Sequence, residues 1–211
     1  MTDSLAPAHG SASLKADRSL GNMYGTAFVG VLEYFEKRYG VVANNTVVAA
    51  VLGRWGQFVR PNTRLMGILG AKKYPNAFVG ELVRAMAVAV RAPDEDAFIR
   101  EIAIAGVDAT LNTVARAALR YLVSPASVAA RSPDFWKLFH DSGRLTITAI
   151  TDRDFLSEVS EWQNHDVVVC KLGVEGGRRI VERTGAPNVT ARREKCIAWG
   201  HDVCLTRVRW G

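Results

Sequence analysis

Residues 188–211, Asn188-Val189-Thr190-Ala191-Arg192-Arg193-Glu194-Lys195-Cys196-Ile197-Ala198-Trp199-Gly200-His201-Asp202-Val203-Cys204-Leu205-Thr206-Arg207-Val208-Arg209-Trp210-Gly211, decide how this chain folds. Two extended runs, 188–198 and 202–210, flank Gly200-His201, and a glycine between such runs is the chemistry of a β-hairpin turn. A turn centred on Gly200 sets Cys196 directly opposite Cys204. Opposed strand residues have Cβ atoms roughly 4.5 to 5.5 Å apart, close enough for two thiolates to share one tetrahedral metal. The alternation then puts Arg193, Lys195, Arg207 and Arg209 on the face away from the cysteines.

Upstream of the hairpin, residues 166–184 read as a helix that ends at Gly185-Ala186-Pro187. Residues 144–150 alternate Leu145, Ile147 and Ala149 against Thr146, Thr148 and Ile150, which predicts a strand. Ser132-Pro133-Asp134 opens a short helix with Phe135, Trp136 and Phe139 on its apolar side, closed by Ser142-Gly143. Asp152 and Asp154 look like carboxylates at a helix start. In the first half, Tyr24, Phe28, Val31, Leu32, Phe35 and Tyr39 recur at helical spacing up to Gly40. A second helix starts after Asn44 and Asn45 and stops at Arg60-Pro61-Asn62. Residues 63–76 form an irregular connection able to line a pocket, and helical patterns follow at 77–91, 94–105 and 108–123. Helices first, then a strand, a helix and a hairpin, predict an α+β fold in which an N-terminal helical layer packs on a small antiparallel sheet. Residues 1–21 are mostly small or polar and read as a disordered tail, leaving 22–211 as one domain.

The bulk numbers are those of a globular protein: 211 residues, 48% hydrophobic and 23% charged. No apolar run approaches the roughly 18 residues of a membrane span, and no secretory signal opens the chain. Three cysteines are an odd count for a disulfide framework, so the expected compartment is the cytoplasm. A net charge of +6 favours acidic partners without choosing among them. The basic hairpin face can meet an acidic partner or a membrane surface, or stand as a solvated face. Without interleaved aromatics, nucleic acid is not expected.

Cys170, on the helix before the hairpin, supplies a third thiolate to the Cys196–Cys204 pair. Glu194 shares their face and His201 lies in the turn, so a zinc site built from these five has its fourth ligand open. Three buried hydrophobic thiols, or a cross-hairpin disulfide, are the alternatives. No glycine-rich phosphate loop, nucleophile elbow or paired acid/base carboxylates stand out, so no enzyme is expected.

Three segments resemble the superfamily of haem-NO-binding domains, four-vinyl-reductase-type ligand-binding domains, TRAPP trafficking subunits and a myxobacterial paralogous family of unknown function. They are Asn22-Met23-Tyr24-Gly25 with its helix, Ser132-Pro133-Asp134-Phe135-Trp136 through Ser142-Gly143-Arg144-Leu145, and Thr184-Gly185 through Cys196, Cys204 and Trp210. Lys73-Tyr74-Pro75 is most similar to the myxobacterial family. The resemblance implies a NO-signalling and Golgi-transport ligand-binding fold, a homodimer or a protein partner, and a pocket for an apolar small molecule. It implies zinc through Cys170, Cys196 and Cys204, but sets Arg193 where the family has an acidic ligand. Haem is not expected, because the Tyr-x-Ser-x-Arg element is missing and the stretch 108–123 holds no histidine; His140 and His165 are the residues left that can ligate one. The implied function is non-enzymatic sensing, with a ligand-free interaction module of the same fold as the alternative.

Overall fold

The computed structural model describes residues 21–111 and 124–211; the expected tail, apart from Gly21, and residues 112–123 of the last helical pattern lie outside the described residues. Strand β1 (Asn22–Tyr24) pairs antiparallel with β2 (Lys73–Pro75), and the irregular stretch before β2 contributes a short 3-10 turn at Arg64–Gly67. Helix α1 spans Val29–Trp55 and is broken at Gly40, whose φ of 78° is a left-handed value that glycine adopts without strain. The two expected helices therefore meet at that break. Asn44 and Asn45 lie inside the second one rather than capping it, and buried Asn44 donates to Glu36 at 3.1 Å.

Helix α2 (Asn76–Ala89) is followed by α3 (Glu95–Leu111), which Asp94 caps by accepting from the amides of Asp96 and Ala97. The expected break between 105 and 108 is absent. Gly106, the only helix-weakening residue there, serves the crossing with α1 instead: a Cβ at Gly30 would lie 2.6 Å from the Gly106 carbonyl, and one at Gly106 2.7 Å from Val31. The two helices can approach this closely only because both side chains are missing. Phe35, Val47, Val51, Phe78, Met86 and Ile102 fill the space among α1, α2 and α3, none more than 1% exposed. Burying each such side chain contributes about 1.5–3 kcal/mol.

Helix α4 (Pro125–Phe139) begins seven residues before the expected Ser132. Ser124 and Ser127 form a capping box, each hydroxyl accepting from the other's amide, and Pro133 is carried inside the helix. The sheet that follows has the order β3 (Arg144–Thr151), β4 (Asp154–Ser160), β6 (Cys204–Arg209), β5 (Thr190–Lys195), all antiparallel. Helix α5 (Val167–Arg183) connects β4 to β5, with Asp166 accepting from the amides of Val168 and Val169 at its start. The α+β architecture and the C-terminal hairpin are as the sequence predicts. The central strand β4 is not: Asp152 stands in the β3–β4 turn, and Asp154 opens the strand as the buried partner of Arg207 and Arg209.

A bulge between Arg193 and Lys195 changes the expected faces of the hairpin. Arg193 pairs with buried Thr206 and so joins the cysteine side, while Arg207 and Arg209 stay on the other side, tied to Asp154. Lys195 alone is exposed without such a tie in this group, so the four do not form one basic ribbon. No described helix is long and apolar enough to cross a membrane.

Candidate ligand cavity and thiol cluster

A cavity of about 300 Å³ lies where α1 and α3 face α4, α5 and the inner side of the sheet. Its walls are mostly hydrocarbon, with Phe28, Val31, Val107, Phe135, Ile147 and Val174 among them. Strand β4, which the sequence reading missed, presents Phe155, Ser157 and Val159 to this space. A pocket of this size and lining is of the kind that takes apolar small molecules.

His140, at the end of α4, stands on the cavity wall. Its ring stacks on Trp136 with centroids 3.9 Å apart and meets the edge of Trp162 at 5.4 Å. Its Nδ1 is buried with no hydrogen-bond partner among the described residues. Burial pushes the imidazole down to about 4, against the opposing pull of Asp141, so the ring is neutral at physiological pH. Asp141, next in the chain, fixes the α4–β3 junction to the start of β1. It accepts from the amides of Gly21 and Asn22 at 2.9 and 2.7 Å and from Asn22 Nδ2 at 2.8 Å, and pairs with Lys73 at 3.3 Å. Burial raises its carboxyl, but the Asn22 bonds and Lys73 outweigh it and hold the group below the usual carboxylate range. Arg178 is the cation on the lining, paired with Glu175 and Glu182.

Beside the cavity, the first turn of α5 brings Cys170 to the turn end of the β5–β6 hairpin. Cys170 and Cys204 sulfurs are 3.4 Å apart, and Cys196 and Cys204 sulfurs 3.8 Å. His165, in the loop before α5, places Nε2 3.4 Å from Cys204 and 3.8 Å from Cys196. All four ligand atoms lie within 4.8 Å of one another, and the three thiols are buried. Four ligands around zinc at bonds of about 2.3 Å stand about 3.8 Å apart, which is this spacing.

The three expected cysteines thus converge, and the side chain grouped with them is His165, while Glu194 and His201 lie outside the group. Glu194 is the bulge residue and is exposed; His201 Nδ1 sits 3.1 Å from the Cys196 carbonyl oxygen instead. His165 lies only five positions before Cys170, but the loop geometry that turns it inward is not written in that spacing. Arg193 donates to the Cys170 carbonyl at 2.7 Å and approaches the Cys196 sulfur at 3.6 Å, so a cation stands where the resemblance implies an acid. Against desolvation, the bond from the Cys170 thiol, with those from His165 and the Ile197 amide, holds Cys204 down to about 4. That same bond, with burial, pushes Cys170 up.

Comparison with protein families and with curated proteins finds no match. Solved structures do match. An H-NOX protein from S. oneidensis in the Fe(II)NO state superposes with a TM-score of 0.67 at 10% identity, over 90% of this chain and 99% of that one. The Fe(II) unliganded H-NOX protein from K. algicida gives 0.62 at 10% identity over 90% and 97%. The H-NOX domain of Shewanella oneidensis in the Fe(II)CO state gives 0.65 at 11% identity over 90% and 99%. At such identities the likeness is one of fold, and the fold is that of the haem-NO-binding proteins. The expectation against haem is therefore corrected: nearly the whole chain takes the architecture of proteins that carry iron with NO or CO, and the missing sequence element does not remove that architecture.

Proposed function

We propose that this chain is a non-enzymatic sensory domain that holds an apolar small molecule in the cavity between its helical layer and its sheet, and reports occupancy to a partner protein. The observation that carries the reading is the hydrocarbon-lined cavity of about 300 Å³ with one neutral, desolvated imidazole in its wall. A filled core would gain more packing energy, and a buried ring nitrogen without a partner costs stability, so both features oppose folding and suit binding.

Haem is the prosthetic group that the fold implies. The residues present fit it at the iron, where His140 offers a neutral imidazole, and along the ring, where the walls are apolar. Arg178 is the cation on the lining, where the family has a Tyr-x-Ser-x-Arg element, and its pairing with Glu175 and Glu182 would have to loosen for it to meet the carboxylates. Bound there, haem supplies an iron centre for a diatomic ligand. His140 would orient the group, Trp136 and Trp162 fix the His140 ring, and the hydrocarbon lining excludes water. Haemin titration of the purified chain tests this: a Soret band saturating at one equivalent is expected, and His140→Ala should weaken uptake at least about tenfold, 1.4 kcal/mol. A chain that takes up no haemin, and that retains no small molecule in native mass spectrometry, overturns the sensory reading. A chain that retains a different apolar molecule keeps it and replaces haem.

The thiol cluster supports a second, structural role. His165, Cys170, Cys196 and Cys204 form a Cys₃His set suited to zinc, which would pin the hairpin to α5 beside the cavity. Elemental analysis of protein purified without added metal should find one equivalent of zinc, lost in Cys196→Ser. Three freely titratable thiols and no metal in the folded protein would rule it out.

A further inference from the structure

We propose that two copies of this chain join through the free edge of β3, continuing the antiparallel sheet across a two-fold axis. The strand order leaves two edges, β3 and β5. Natural sheets guard their edges with charges, prolines or bulges, since an unguarded row of amide and carbonyl groups recruits another strand. Edge β5 is guarded, for four of its six residues, Arg192, Arg193, Glu194 and Lys195, are charged and Glu194 forms a bulge. Edge β3 reads Arg144-Leu145-Thr146-Ile147-Thr148-Ala149-Ile150-Thr151: one charge, at the end, no proline, and a single irregularity at Ile150 beside the turn. Among the described residues its backbone pairs only with β4, along residues 144–151. Thr146, Thr148, Ala149, Ile150 and Thr151 are exposed, Ile150 at 46%.

The occupant is a second β3 because the strand is complementary to itself. An antiparallel pair centred on Ile147 sets Thr146 against Thr148 on the outer face and Leu145 against Ala149 on the inner one. Cross-strand Thr–Thr pairs are favourable, and no like charges face each other. The same arrangement at β5 would bring the exposed Arg192 and Lys195 of both copies onto one ribbon. A ribbon this narrow buries less than the roughly 1,200 Å² of a standard interface, so the dimer is weak and depends on concentration.

Sedimentation velocity of the full chain, from low to several hundred micromolar, should show monomer converting to dimer. Thr146→Lys/Thr148→Lys should remain monomeric throughout with unchanged circular dichroism and melting, because both sites are exposed, whereas Thr190→Lys on β5 should dimerise as the parent does. Thr146→Cys/Thr148→Cys should give a covalent dimer on non-reducing gels that the parent, with its three buried thiols, does not form. A parent that stays monomeric, a dimer that survives the paired lysines, or a dimer that the paired cysteines fail to cross-link overturns the proposal.

Discussion

Replacing His140 by Phe should make the haem-free protein more stable, which is an unusual outcome for a buried aromatic site. A phenyl ring keeps the stack on Trp136 and the edge contact with Trp162, and removes the buried Nδ1 that has no partner. Leaving such a group unsatisfied costs about 1–3 kcal/mol, part of which the slightly different ring shape takes back. A net gain of about 1 kcal/mol is expected at pH 7.5. The difference should then grow with acid. Unfolded, the imidazole takes its proton near pH 6.5; folded, it resists until about 4. Between those values the unfolded chain binds more protons, so the parent loses stability as the pH falls, at a rate approaching 1.4 kcal/mol per pH unit. The variant has no such group, and its advantage should reach about 3–4 kcal/mol near pH 4.5. Urea unfolding of both proteins at pH 7.5, 6, 5 and 4.5 measures this directly. A variant less stable than the parent at pH 7.5, or a gap that stays constant across the series, refutes the account of His140 as a neutral ring held at a cost to folding. The same variant should lose haemin uptake, so stability and binding move in opposite directions.

Three other substitutions probe the rest of the design. Asp141→Ala strands the amides of Gly21 and Asn22 and should cost about 3 kcal/mol in urea unfolding at pH 7. Its carboxyl is held below the usual range, so that cost should persist down to about pH 4 and fade only below it. Ile147→Trp pushes a large ring into the cavity; with open space to receive it, the change should cost less than about 1 kcal/mol instead of the 1–3 of an overpacked core, while ligand uptake measured by titration is lost. Asp154→Asn removes the charge from a carboxylate that is 10% exposed and accepts from both Arg207 and Arg209, so thermal melting should register a loss of about 1–3 kcal/mol.

Much of the cluster was legible because it depends on spacing within one hairpin. Cys196 and Cys204 are eight residues apart around a glycine turn, and their sulfurs stand 3.8 Å apart as that turn requires. Cys170 follows because the helix carrying it reaches the turn end of the hairpin. The fourth member of the group was not legible. Glu194 shares a face with the cysteines only if the strand is regular, and the bulge beside Arg193 reverses that parity, a displacement no alternation pattern records. His165 reaches the thiols through a loop whose path is set by Asp166 capping α5. Strand β4 escaped notice for a related reason: Asp154 reads as a surface carboxylate until Arg207 and Arg209, more than fifty residues away, are placed beside it.

The sequence by itself determined the elements whose signals are local: amphipathic helices, the glycine turn, and three thiols within reach of one point. Tertiary structure alone decided the cavity, His140's neutral burial, the pairing of Arg193 with the thiol side, and the bare edge of β3. Those properties depend on which surfaces meet across distant parts of the chain. Hydrophobic burial does not itself specify such meetings; packing shape, strand register and charge pairing do.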